Sequence, residues 1–184
     1  MSGTLMHLVL AAALIAVVLV VCRVKRLPLG ETLALRLPPW RAFALLLLGF
    51  AVLATIEELV FRRLDVGDVK LWSLSPLQTV LRLLTVVVLA PLSEELVFRG
   101  LLYNRLADGG RRVLRAILVP AALFAASHYA PGEHGLLAVA TLTQAFSDGA
   151  YLGFTRYRTN STVAPIVLHA LGNAFAAGQR LGWL

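Results

Sequence analysis

The chain has 184 residues, 59% of them hydrophobic and only 15% charged, with a mean hydropathy of +0.80. A soluble domain carries about 25% charged residues, so a water-facing surface is excluded for much of the chain and lipid must solvate it. The formal net charge of +7 sits in short clusters between apolar runs, which fits anchoring on anionic headgroups and argues against nucleic acid as a partner.

Six apolar stretches follow in chain order, and a spanning helix needs about 20 mostly apolar residues. The first runs from about Leu5 to Cys22 and the second from about Arg41 to Phe61. The third, from about Leu77 to Leu106, is unusually long and interrupted by polar groups. The fourth runs from about Val113 to Tyr129, the fifth from about Leu136 to Phe154, and the sixth from about Val163 to Gly178. No Lys or Arg precedes the first stretch and no small-residue cleavage site precedes Arg23, so it is read as a retained span rather than a signal peptide. Its Cys22 is the one cysteine, so no internal disulfide forms and no thiolate metal site is supported.

Turn chemistry separates the stretches. Pro28, Gly30, Pro38 and Pro39 follow the first, Asp108-Gly109-Gly110 the third and Pro131-Gly132 the fourth. Thr159 to Thr162 offers the sixth a polar cap. The loops after the first, third and fifth stretches carry 11 cations: Arg23, Lys25, Arg26, Arg36, Arg41, Arg105, Arg111, Arg112, Arg115, Arg156 and Arg158. The opposite side carries 4, namely Arg62, Arg63, Lys70 and Arg180. This asymmetry puts the basic loops in the cytoplasm and both termini outside a multi-pass cell-membrane protein. The predicted fold is all-α, a polytopic transmembrane bundle of about six spanning helices. It forms a single membrane domain, with the first two helices and their loop in residues 1–76 and a core in 77–178. Trp40, Trp72 and Trp183 suit interfacial anchors.

Ionisable groups within a span are expensive and mark functional sites by default. The third helix carries Glu94, Glu95 and Arg99. Glu95 and Arg99 share a face at i,i+4 and can pair, whereas Glu94 is rotated about 100° away and is left for another partner. A free carboxylate is the best candidate general base, and a structural ion-pair network is the competing reading. Phe124 and His128 are spaced i,i+4 on the fourth helix, and His169 and Asn173 on the sixth. His128 alone reads as a packing residue, and His169 with Asn173 as helix glue or as oxyanion donors. At 1.5 Å per residue Glu94, His128 and His169 lie about 17, 22 and 14 Å from the cytoplasmic ends of their helices. Similar depths on three helices point to one shared polar cavity. A carboxylate and an imidazole there can activate water, while a second imidazole and an amide hold the oxyanion. Asp148, beside Gly149 in the fifth helix, either touches that cavity or caps a local break. The hexapeptide at Glu94–Arg99 also occurs at Glu57–Arg62, near the outer end of the second helix and at the wrong depth.

The segment from Ala90 to Gly100 resembles the E-E-x-x-x-R motif of the CPBP family, intramembrane glutamic endopeptidases that include the type 2 CAAX prenyl proteases and the Abi and bacteriocin-processing proteins. Phe124-x-x-x-His128 and His169-x-x-x-Asn173 resemble its second and third motifs, in the right order. The resemblance covers about Leu77 to Gly178. It implies that Glu94 and His128 activate water, that His169 and Asn173 form the oxyanion site, that Glu95 and Arg99 support the geometry, and that Phe124 packs beside His128. It implies metal-independent chemistry with no cofactor. Zinc on two histidines and a carboxylate is the disfavoured alternative, and no H-E-x-x-H helix is present. The implied partners are the lipid bilayer and a membrane-associated peptide or protein substrate bearing a C-terminal or leader sorting signal. Two other readings stand beside this one: a non-catalytic binding, immunity or scaffold protein that keeps the polar cavity, and a small proton-linked transporter.

Overall fold

The computed structural model describes residues 2–66, 71–130 and 132–183. Lys70, counted among the outer cations, and Pro131, expected to end the fourth helix, lie outside the described residues. The fold is all-α, with no strand among the described residues. A long helix α1 (Ser2–Val24) is followed by the short α2 (Leu29–Thr32) and by α3 (Trp40–Leu64). A continuous rod then covers 76–107. It comprises α4 (Pro76–Leu83), α5 (Ala90–Glu95) and α6 (Tyr103–Ala107), joined through π-helical turns at Leu84–Leu89 and Leu96–Leu102. The remaining helices are α7 (Val113–Ser127), α8 (Gly135–Thr159) and α9 (Val163–Arg180).

Local chemistry sets the ends of these helices. Ser75 and Gln78 form a reciprocal capping box at α4 with Pro76 in the first turn, where a missing N–H does no harm. The rod stops at Asp108 in the left-handed region, followed by Gly109 and Gly110, both at positive φ. The polar cap expected at α9 comes from Ser161, whose Oγ accepts the Ala164 N–H at 3.3 Å. Thr162 occupies the cap position but makes no side-chain cap bond.

Packing follows apolar stripes. Val18 and Cys22 of α1 lie buried against Leu33 and Leu96, so the lone cysteine is a packing residue. Leu46 and Phe50 of α3 pack on Leu152 and Leu168. The opposite stripe of α3, Leu45, Leu48, Val52 and Leu59, is exposed. An exposed stripe of this size is what a lipid-facing surface requires. α7 and α8 pack tightly at Gly149 and Gly153. A Cβ on Gly149 would lie 3.1 Å from Ala121 Cα, and one on Gly153 3.2 Å from Ile117 Cγ2. This is small-residue contact at i,i+4, which lets membrane helices pack backbone to backbone.

Each of the six expected helices is present. Among the described residues, α1 and α3 are long and apolar enough to cross a membrane by length and composition. α7 is apolar, but its 15 residues rise only about 22 Å, short of a hydrocarbon core about 30 Å thick. One expectation is corrected. Arg156, counted as a loop cation, is 4% exposed, because α8 continues past Phe154 to Thr159 and turns this side chain into the bundle.

Candidate functional site

The rod over 76–107 builds the site. Between its two π-helical turns lies the single α-helical segment Ala90–Glu95. A π turn shifts the hydrogen-bond register by one residue and leaves carbonyls open to other donors. The Ala90 N–H bonds to Thr85 O, five residues back. In that register the next donor would be residue 91, but Pro91 has no N–H. The Val86 carbonyl is taken instead by Asn173 Nδ2 at 2.7 Å. At the other turn, the Arg99 carbonyl accepts from Arg156 Nε at 3.3 Å and Thr162 Oγ1 at 3.5 Å. α8 and α9 thus grip the rod on both sides of the acidic pair.

Glu95 and Arg99 are both 0% exposed and pair at 2.8 Å, the i,i+4 bridge expected from their spacing. Arg99 Nη2 also donates to Gly149 O at 2.6 Å, and its guanidinium lies 5.1 Å from the Phe124 ring centroid. A buried ion pair needs such extra bonds to offset desolvation. Glu94 has a defined neighbour. Its Oε2 lies 3.9 Å from His169 Nε2, while His169 Nδ1 lies 3.0 Å from Glu95 Oε1. One imidazole therefore sits between the two adjacent carboxylates. Because Glu95 accepts, Nδ1–H is the donor and Nε2 faces Glu94. Glu94 Oε2 is buried and has no hydrogen-bond partner among the described residues.

The sequence places His128 inside a helix, whereas in the structure it caps the helix end. α7 stops at Ser127 because the backbone of His128 leaves helical geometry there, and the side chain is exposed. Its Nδ1 lies 2.8 Å from Phe124 O. The carbonyl can only accept, so Nδ1 carries the proton and Nε2 keeps its lone pair. His128 lies within electrostatic range of Glu94. Phe124 stands between the two imidazoles, 4.3 Å from His128 and 5.6 Å edge-on from His169, centroid to centroid. Glu94, Glu95, Arg99, Phe124, His128 and His169 thus form one cluster. Asn173 is tied instead to the Val86 carbonyl of the rod, and its amide retains a second N–H.

The repeated hexapeptide divides in two. Glu58 pairs with Arg62 at 2.6 Å on the surface. Glu57 turns to α8, where it accepts from Ser147 Oγ and, at 3.4 Å, from Gln144 Nε2. Asp148 lies within electrostatic range of Glu57, His169 and Arg99, so it borders the cluster rather than capping a break in α8. Reading the sequence missed Ser147, Gln144, Arg156 and Asn104. The G-x-x-x-G spacing of Gly149 and Gly153 was the available sign that α8 lies against the α7 motif. Among the described residues, no three His, Cys, Asp or Glu side chains are grouped so as to hold a metal ion.

Residues 76–175 match the family model described as type II CAAX prenyl endopeptidase Rce1-like. The match covers just over half of the chain and contains every residue of the cluster. No curated protein and no solved structure matches.

Proposed function

Since the chain belongs to the type II CAAX prenyl endopeptidase Rce1-like family, we propose that it hydrolyses a peptide bond of a membrane-associated protein or peptide with a water activated by Glu94 and His128. The observation that carries this reading is Glu94 Oε2, buried and unpaired beside His169 on a side chain that is otherwise partly exposed. A buried acceptor with no protein donor is costly in lipid, and a water or substrate N–H offsets that cost.

In this reading Glu94 takes a proton from water while the unprotonated Nε2 of His128 orients it. The hydroxide oxygen bonds to the scissile carbonyl carbon. The oxyanion is held by His169 and by the second N–H of Asn173. Glu94 then passes its proton to the leaving nitrogen as the C–N bond breaks. Glu95 and Arg99 touch no reacting atom. They orient His169, and Phe124 spaces the two imidazoles. No step of this route calls on a metal, and a chelator tests that directly.

The same proposal takes all six long helices as spans of one membrane domain, with the catalytic core in 77–178, the basic loops cytoplasmic and both termini outside. α7 then ends within the bilayer, and His128 meets a water-filled mouth there. Substrates of this class are prenylated C-terminal tails, bacteriocin leaders or sorting tails.

The test is cleavage of a farnesylated CAAX peptide by the full chain in lipid nanodiscs. Glu94→Gln and His128→Asn should each lower kcat by about 10²–10⁴-fold, the range of general acid–base catalysis, and a zinc chelator should leave wild-type turnover unchanged. Full activity in both variants would refute the assignment. Loss with chelator, restored by zinc, would replace water activation by Glu94 with metal chemistry.

A further inference from the structure

A polar cavity of about 540 Å³ opens at the end of the bundle that carries the basic loops, away from the acidic cluster. Arg36, Arg156, Asn104, Asn160, Tyr103 and Glu31 line it. Arg156 is its buried cation. Its Nη1 donates to Asn160 Oδ1 at 3.0 Å and its Nη2 to Asn104 Oδ1 at 2.9 Å. Each of these nitrogens carries a second N–H, and the guanidinium lies 5.0 Å from the Tyr103 ring centroid. Arg36 lies within electrostatic range of Arg156. Among the described residues neither arginine forms an ion pair.

Two guanidiniums that share a pocket with a single carboxylate, Glu31, leave it net positive and favour a bound anion, and this fold holds them there. Ser161 Oγ donates to Arg36 O, and the Thr162 N–H donates to Ala34 O at 3.0 Å. These bonds pin the segment bearing Arg36 onto the corner between α8 and α9, and Ala34 turns there at positive φ. Asn104 donates to Thr32 O and closes the same wall.

We propose that this pocket binds the phosphate of an anionic phospholipid headgroup between Arg36 and Arg156. A planar guanidinium matches phosphate geometry, and basic pockets between spanning helices take lipid headgroups. The cavity volume falls in the range of ligand sites. Glu31 at the rim selects among anions. It repels a second negative charge, so a singly charged phosphodiester fits better than inorganic phosphate. Arg156 also bonds the Arg99 carbonyl, so the headgroup would rest against the far side of the turn that carries Arg99. The proposal shares with the protease reading only the placement of the helices in a membrane.

The experiment is a titration of the full chain in maltoside micelles with dioctanoyl-phosphatidylglycerol, dioctanoylglycerol and inorganic phosphate, followed by native mass spectrometry. One phosphatidylglycerol should bind saturably. Dioctanoylglycerol should not occupy this site, and Arg36→Gln should weaken binding about tenfold, the loss expected for one charge-assisted contact. Arg36 is exposed, so this variant retains the fold even where Arg156→Gln does not. Glu94→Gln should bind the lipid like wild type, so failure of proteolysis and failure of lipid capture are read separately. Unchanged affinity in Arg36→Gln, or equal binding of dioctanoylglycerol, would overturn the proposal. Phosphate displacing the lipid at equal concentration would overturn the headgroup as its source.

Discussion

Replacing Arg99 by Met tests how the acidic pair is held. Arg99 and Glu95 are both fully buried and bridged at 2.8 Å. The substitution keeps much of the volume but leaves the Glu95 carboxylate without its cation. Removing one partner of a buried pair costs about 3–5 kcal/mol. Loss of the Arg99 bond to Gly149 O adds about 0.6 kcal/mol, the average for an interhelical bond in a membrane protein. At about 2–4 °C per kcal/mol for a chain of this size, Tm should fall by about 7–22 °C. The assay is thermal unfolding in maltoside micelles, paired with peptide cleavage in nanodiscs. The double variant Glu95→Gln with Arg99→Met should recover a large part of the lost stability, because no unpaired charge remains. It should not recover activity, because a neutral amide in place of the Glu95 carboxylate cannot hold the His169 ring in the same way. A single-variant loss below about 1 kcal/mol, the ceiling for exposed pairs, would refute the reasoning. So would a double variant that loses the sum of both single effects.

Other outcomes follow from the same contacts. Asn173→Ala should lower kcat strongly while costing only about 0.6 kcal/mol of stability, measured by parallel turnover and melting. A comparable fall in both would make it a structural residue alone. Phe124, 3% exposed between the two imidazoles, should lose about 3–5 kcal/mol when changed to Ala. Phe124→Leu should unfold much less readily yet still turn over slowly, as a melting curve and a kcat measurement would show. Gly149→Val should separate α7 from α8 and abolish cleavage, since even a Cβ there meets Ala121 Cα at 3.1 Å; wild-type turnover would contradict this packing. Glu58→Gln should change stability by less than about 0.5 kcal/mol and leave activity intact, because its bond to Arg62 is an exposed i,i+4 pair. An inactive Glu58→Gln would promote the repeated hexapeptide to a working motif.

The cluster was legible in the sequence because its residues are costly where they stand. Charge in an apolar run stands out, and the i,i+4 spacings of Glu95 with Arg99, Phe124 with His128 and His169 with Asn173 put each pair on one helix face. What stayed hidden depends on helix register between segments. The two π turns shift the rod by a residue each, and apolar periodicity over Leu84–Leu89 carries no sign of that. The contact of Glu94 with His169, rather than with a partner elsewhere, follows from that register. Arg156 was misplaced for a related reason. An arginine near a helix end reads as a loop cation, and only the extra turn of α8 brings it inward to Asn104 and Asn160. The split of Glu57 from Glu58 could not be read either, because both sit in the same hexapeptide and differ only in which neighbour faces them.

The stripe of α1 that meets the rod has a consequence for any shortened form of the protein. Val18 and Cys22 close over Leu96, with Leu92 and Val97 beside them, and Leu92 and Leu96 flank the acidic pair in sequence. The packing behind the acidic pair is therefore supplied from outside the stretch that matches the family model. A fragment confined to 76–175 would carry Glu94, His128, His169 and Asn173 yet let lipid or detergent press directly behind Glu94 and Glu95. The proposed cleavage should then fail through a missing buttress rather than a missing side chain, and supplying α1 as a separate peptide should restore it.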